Sequence, residues 1–146
     1  MTDMGGVGRF ATPLRVEIMP PGRFARALEP FIYVGSDGHH WLTPAGFVFD
    51  GASIPQLLWS RFGGPFDGPN IFIGAVHDPR YRFADCDRET ADHLLLDVGR
   101  CAGLSDDDAR AIYLGVRLGG EIAWIDNARK RRECGADQAR LLAWAA

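Results

Sequence analysis

The apolar positions change period near residue 52. Before that point the apolar runs are short and β-like. RVEIM (15–19) alternates and then meets Pro20-Pro21-Gly22, a firm stop. FIYV (31–34) is aromatic and β-branched, GSDGHH (35–40) is rich in turn formers, and WLTPAGFVFD (41–50) follows. This order predicts a hairpin with a longer loop. Pro44, which has no N–H to give to a ladder, belongs at an edge or a bend.

Beyond residue 52 the spacing becomes helical. Ser53 precedes Ile54-Pro55 and QLLW, a cap followed by a first-turn proline. GGPFDGPN (63–70) predicts a loop, and IFIGAV (71–76) suits either a helix or a strand. Within RETADHLLLDVGRCAG (88–103), Ala91, Leu94, Leu95 and Val98 recur on one helical face behind Asp87 as the cap. Ser105-Asp106-Asp107-Asp108 opens another helix, carrying Ile112, Tyr113, Val116 and Leu118, with its acids at the positive end of the dipole. Gly115, Gly119 and Gly120 lower helix propensity there, so close approach of another backbone or a bend is expected. The tail holds ARKRREC (128–134), a solvated helix face or a docking tail, and then a terminal helix docking through Leu141, Leu142 and Trp144. The reading is α+β in one domain, residues 1–146: a small antiparallel N-terminal sheet, β-rich over about 10–50, followed by three to five helices, α-rich over about 53–146.

Composition narrows the function classes. A hydrophobic share of 47%, a charged share of 24% and a net charge of -3 describe an ordinary soluble globular chain. The mildly acidic balance argues against general nucleic-acid binding, which needs a basic face to displace counterions. No apolar run reaches membrane-spanning length, and MTDMGGVGRF does not read as a secretory signal. Cys86, Cys101 and Cys134 form no CxxC pair, which speaks for reduced thiols and against a cysteine-ligated zinc site.

The candidate chemistry centres on AVHDPRYRFADCDRETADHLLL (75–96). His77 suits a general base, and Asp78 suits a hard cation. Neighbouring helical side chains diverge by about 100°, so this pair would serve two adjacent points, a water and a cation. Tyr81 shares the His77 face if the helix is continuous, and Asp92 from the next helix could orient the second imidazole nitrogen. Against this, Asp78-Pro79 is also a good helix start, which would leave His77 outside the helix. Asp50 in FDGASIP either supplies a third carboxylate or belongs to a strand-to-helix corner. Ser53 lacks a nucleophile elbow, His39-His40 and His93 read as surface groups, and GGPFDGPN, without a P-loop lysine, could at most offer carbonyls to a cation.

Four motifs in order, PAGFVFDGASIP, AVHDPRY, ETADHLLL and YLGVRLGGEIAW, resemble the phage and prophage family catalogued as domain of unknown function 1353, over roughly residues 30–125. The resemblance implies a phage, prophage or gene-transfer-agent origin, virion or tail proteins as partners, and a virion or host-cytoplasm location. It brings no established activity. A looser similarity, in GGPFDGP, HDPRY and the Asp of TADHLLL, is to phospholipase A₂. That resemblance implies His77 as the base that deprotonates water, Asp92 as its orienting group and calcium on Asp78. Pro79 and the irregular loop depart from that pattern. From the residues themselves, Tyr81 joins the catalytic candidates and Asp50 joins Asp78 as a candidate ligand, for calcium or zinc. Three readings follow: a virion-associated protein with a structural polar cluster, a small metal-dependent hydrolase, and a host-factor-binding or inhibitor protein.

Overall fold

The computed structural model describes residues 7–51, 59–135 and 137–143. Ser53, Pro55 and Trp144, named above as cap, first-turn proline and docking residue, lie outside the described residues.

Six short strands come first: β1 (Arg9–Phe10), β2 (Val16–Met19), β3 (Phe24–Ala27), β4 (Phe31–Val34), β5 (His40–Thr43) and β6 (Val48–Phe49). They form two antiparallel sheets of three strands rather than one, in the orders β1-β4-β5 and β2-β3-β6. The expected hairpin is β4–β5, with Phe31 opposite Thr43 and Val34 opposite His40. Helices follow: α1 (Trp59–Phe62), α2 (Asn70–Phe83), α3 (Arg88–Cys101), α4 (Asp106–Cys134) and α5 (Gln138–Ala143). The core joins both halves, with Phe31, Tyr33, Phe47 and Phe49 from the strand half against Ile73, Val76, Leu95 and Val98 from α2 and α3. Leu142 of α5 packs against that core.

α2 is the central element, because nearly all of it from Ile73 to Arg82 is buried. Here the structure corrects one expectation. Asp78-Pro79 does not start a helix: Pro79 lies inside α2, and His77 sits in mid-helix. A proline there removes the N–H that residue 75 would otherwise receive. The Thr43 hydroxyl supplies the missing donor, bonding the Ala75 carbonyl from β5. The strand half thus repairs the ladder of the helix that crosses it. At its end Ala84 turns into the left-handed region (φ 48°), and Arg131 of α4 donates to the carbonyls of Tyr81 and Arg82 at 2.8 Å each. These last carbonyls have no partner within the helix, so a cation there serves both hydrogen bonding and the dipole.

The caps of α3 and α4 fall where the sequence places them. Asp87 accepts from the Thr90 N–H at 2.7 Å, and Ser105 from the Asp108 N–H at 3.1 Å. GGPFDGPN is a loop, but the carbonyls of Gly64 and of the preceding Phe62 accept from the Asn70 side chain. They are therefore engaged inside the protein. The glycines of α4 also need a finer account. Only Gly120 is closely approached, and by a side chain: a Cβ there would lie 2.6 Å from the Tyr81 hydroxyl. Gly115 and Gly119 face open space.

Candidate functional site

The five residues singled out by sequence lie in one cluster where α2, α3 and the end of β6 meet. Mid-helix placement puts His77 and Tyr81 one turn apart on one face of α2, with ring centroids 4.5 Å apart. α3 packs alongside and brings in Asp92 from its buried side. Oδ1 of Asp92 lies 2.9 Å from His77 Nε2 and accepts from the Tyr81 hydroxyl at 2.7 Å. Oδ2 accepts from Arg117 Nη1 of α4 at 2.7 Å, with Arg88 Nε at 3.6 Å. Arg88 also donates to the Tyr81 hydroxyl and to the carbonyls of Val116 and Arg117. One carboxylate thus ties three helices together.

Burial alone would push the Asp92 carboxyl up. The bonds from His77, Tyr81 and Arg117 outweigh it and hold the group below the usual carboxylate range. Burial and the neighbouring Asp92 push the Tyr81 phenol up, so it stays a donor. His77 follows the opposite balance from a plain buried imidazole. Burial would lower it, but the pull of the Asp78 and Asp92 carboxylates raises it overall. Its Nδ1 faces Asp78 Oδ1 at 3.8 Å, so each ring nitrogen looks at an acid.

Asp78 and Asp50 form the second part of the cluster. Oδ2 of Asp78 is buried without a hydrogen-bond partner. Beside it, Asp50 is pushed up to about 7 by burial, by the charge of Asp78 and by a hydrogen bond with Asp78. Two carboxylates hydrogen-bond only when one keeps its proton. A proton kept by Asp50 is thus what lets the two acids sit side by side. Arg82 is lowered to about 10 by burial, while the charges of Asp78 and Asp50 act to raise it. Its guanidinium also donates to the Val48 carbonyl at 2.7 Å and stacks over Phe47.

Calcium or zinc would have to be held by Asp78 and Asp50. Among the described residues no group of three or more His, Cys, Asp or Glu side chains is arranged to hold a metal ion. Two carboxylates near a resident guanidinium fall short of zinc's four ligands or calcium's six to eight oxygens. The described residues do not by themselves make a metal centre.

The α2–α3 part of the cluster is also closed, while Asp50 is only partly buried. Asp92 is 0% exposed, His77 5% and Asp78 6%. His39 and His40 lie at the surface. His93, also exposed, is within 3.2 Å of the Tyr113 hydroxyl rather than in the cluster. Arg88, Arg117 and Arg82 belong to the cluster but are not evident from spacing. One signal for them exists: a carboxylate among leucines, as Asp92 is, must be buried with a cation. Arg88 stands four residues before it. Arg117 could not be assigned without knowing how α4 packs.

Comparison with known proteins places the chain. Residues 25–116 match the family described as Protein of unknown function (DUF1353), and the chain belongs to it. A relative from Sinorhizobium fredii (strain NBRC 101917 / NGR234), Uncharacterized protein y4jT, is 33% identical over 113 residues. That alignment covers 72% of this chain and 29% of the relative, so the chain spans under a third of that protein's length. No solved structure matches.

Proposed function

We propose that the chain is a structural component of a phage, prophage or gene-transfer-agent particle, tail- or virion-associated, and that it acts by binding protein. In this reading the His77–Asp92 cluster is an internal clamp that sets α2, α3 and α4 at fixed angles. The observation that carries the reading is the outer face of α4. Leu114, Leu118, Ile122 and Ile125 are 57%, 88%, 81% and 61% exposed along one stripe. A large apolar stripe on a helix marks a contact surface far more often than a catalytic one. The particle origin rests on the ordered motif set.

Particles induced from a strain carrying the gene and purified on a density gradient test the reading. The chain should co-sediment with them, and Leu118→Glu should abolish co-sedimentation while the purified variant stays folded. A wild-type chain absent from the particles would overturn it.

A second reading, a hydrolase with His77 as general base, draws on one specific feature. Asp92 orients Nε2, Tyr81 and Arg117 fix Asp92, and Nδ1 faces Asp78. That is the base-and-orienter arrangement of acid–base catalysis. Phospholipid vesicles and a soluble ester, each with calcium, zinc or a chelator, provide the test. Turnover by the wild type that is lost in a folded His77→Asn variant would establish this reading. No turnover under any of these conditions removes it.

A further inference from the structure

We infer that the outer stripe of α4 pairs with the same stripe of a second copy of this chain, antiparallel, about a two-fold axis near Gly119 and Gly120. This rests on the reading of that face as a contact surface and names its partner.

The first argument is the symmetry of the stripe itself. In an isologous helix pair each position must face a suitable position counted backward from the axis. Along α4 the apolar residues 114, 118, 122 and 125 map onto one another on reversal, within one residue. Leu114 meets Ile125, and Leu118 meets Ile122.

The second argument is charge. Asp107 lies seven residues before Leu114, and Arg132 seven after Ile125, close to the same helical face. Both are exposed. Their neighbours are engaged within the chain. Asp106 pairs with Arg100 at 2.7 Å and Asp108 with Arg61 at 3.4 Å, while Arg129 and Lys130 pair with Asp126. Arg131 caps α2. Among the described residues, Asp107 and Arg132 have no ion-pair partner. Antiparallel pairing sets Asp107 of each copy against Arg132 of the other, whereas parallel pairing would set like charges together. Arg110 meets Arg129 along with the carboxylates that hold it, Asp126 and Glu133 at 2.7 and 2.6 Å.

The third argument is shape. Ile122, Ile125, Asp126 and Arg129 line a surface hollow. Their spacing, i, i+3, i+4, i+7, is that of the four-residue hole that receives a knob in paired helices. In the antiparallel register the knob is Leu114 of the second copy. The two-fold axis gives this hole-and-knob contact twice.

Sedimentation equilibrium of the full chain, with a charge exchange, tests the proposal. The wild type should form a dimer and Leu118→Glu a monomer. Asp107→Arg alone and Arg132→Asp alone should each weaken self-association about tenfold. Mixed together, those two variants should regain dimerisation, because both cross-pairs are restored in the mixed dimer. A wild type that is monomeric over the whole concentration range overturns the self-pairing. So does a dimer indifferent to Leu118→Glu, or charge variants that mixing does not rescue. Particle association that is sensitive to Leu118→Glu in a monomeric wild type would overturn only the partner named here and leave the contact surface standing.

Discussion

Two regions of the helical half break the usual rule of apolar inside and polar outside, and they do so in opposite ways. Around His77 the chain buries two acids, Asp92 and Asp78, with Asp50 partly buried beside them: Asp92 lies with Arg117 and Arg88, and the charges of Asp78 and Asp50 act on the buried Arg82. On the outer face of α4 it exposes four large aliphatic side chains. The difference is compensation. Each buried charge meets an opposite charge, a proton or a carbonyl. The exposed aliphatics keep more than half of their surface uncovered by the described residues. Buried charges that are fully matched are weak evidence for added stability, but removing one member leaves the others stranded. An unmatched apolar stripe gains free energy only when a partner covers it. The interior anomaly therefore accounts for the fold, and the exterior anomaly points outward, to binding.

The largest expected effect comes from breaking the hub of the interior region. Asp92→Asn keeps the shape but removes the charge that His77, Tyr81 and Arg117 share, and should cost on the order of 3–5 kcal/mol. Urea unfolding would measure it. On the outer face, Leu118→Glu should change the unfolding free energy of the monomer by less than about 0.5 kcal/mol. If the two variants had equal effects on stability, the contrast between the regions would fail.

The second effect is pH-dependent and separates the two parts of the cluster. Asp50 is raised to about 7 in the folded chain. A group whose folded pKa lies above its unfolded value, near 4, stabilises the fold fully below the unfolded value. It then loses that contribution as pH rises through the folded one. Wild-type stability should therefore fall between about pH 4 and pH 7. In Asp50→Asn that slope should flatten, a difference on the order of 4 kcal/mol at pH 8. His77 is raised too, so its contribution is fully present below about pH 6.5 and is lost as pH rises from there through its folded pKa. Asp92 is lowered, so its contribution is lost only on the acid side. Stability should peak in mildly acidic solution. An unchanged slope in Asp50→Asn would show that Asp50 does not hold its proton there.

A smaller change sharpens the account of His77. Asp78 acts to raise the imidazole pKa, so Asp78→Asn should shift its NMR titration to lower pH. If the titration stays in place, Asp92 alone sets it.

Much of this arrangement was legible in the sequence, for reasons that differ by residue. The caps Asp87 and Ser105 act locally, through side chains three residues from their targets, so a few residues suffice to read them. The β4–β5 hairpin is also local. The convergence of His77, Tyr81 and Asp92 was legible because helical spacing fixes the first two and an acid on the apolar face of α3 must find a partner. Pro79 misled, since local chemistry favours a helix start there. The contact that reverses it, Thr43 with Ala75, spans 32 residues. Arg82 and Arg117 escaped for the same reason: their targets come from distant segments.

The finest contrast is between adjacent glycines of α4, one facing each region. A Cβ at Gly120 would meet the Tyr81 hydroxyl at 2.6 Å and Arg88 Nη2 at 3.3 Å, while nothing lies within 4 Å at Gly119. Gly120→Ala must therefore push Tyr81 off Asp92 or tilt α4, a cost of about 1–3 kcal/mol that overrides the gain in helix propensity. Gly119→Ala meets no obstacle in the monomer and should gain about 0.5–1 kcal/mol from propensity alone. Thermal unfolding at dilute, monomeric concentration reads both. Opposite signs one residue apart would show that α4 has one face committed to the clamp and one left free. Equal signs would mean that the Tyr81 hydroxyl yields to the added methyl and that the clamp is looser than its geometry suggests.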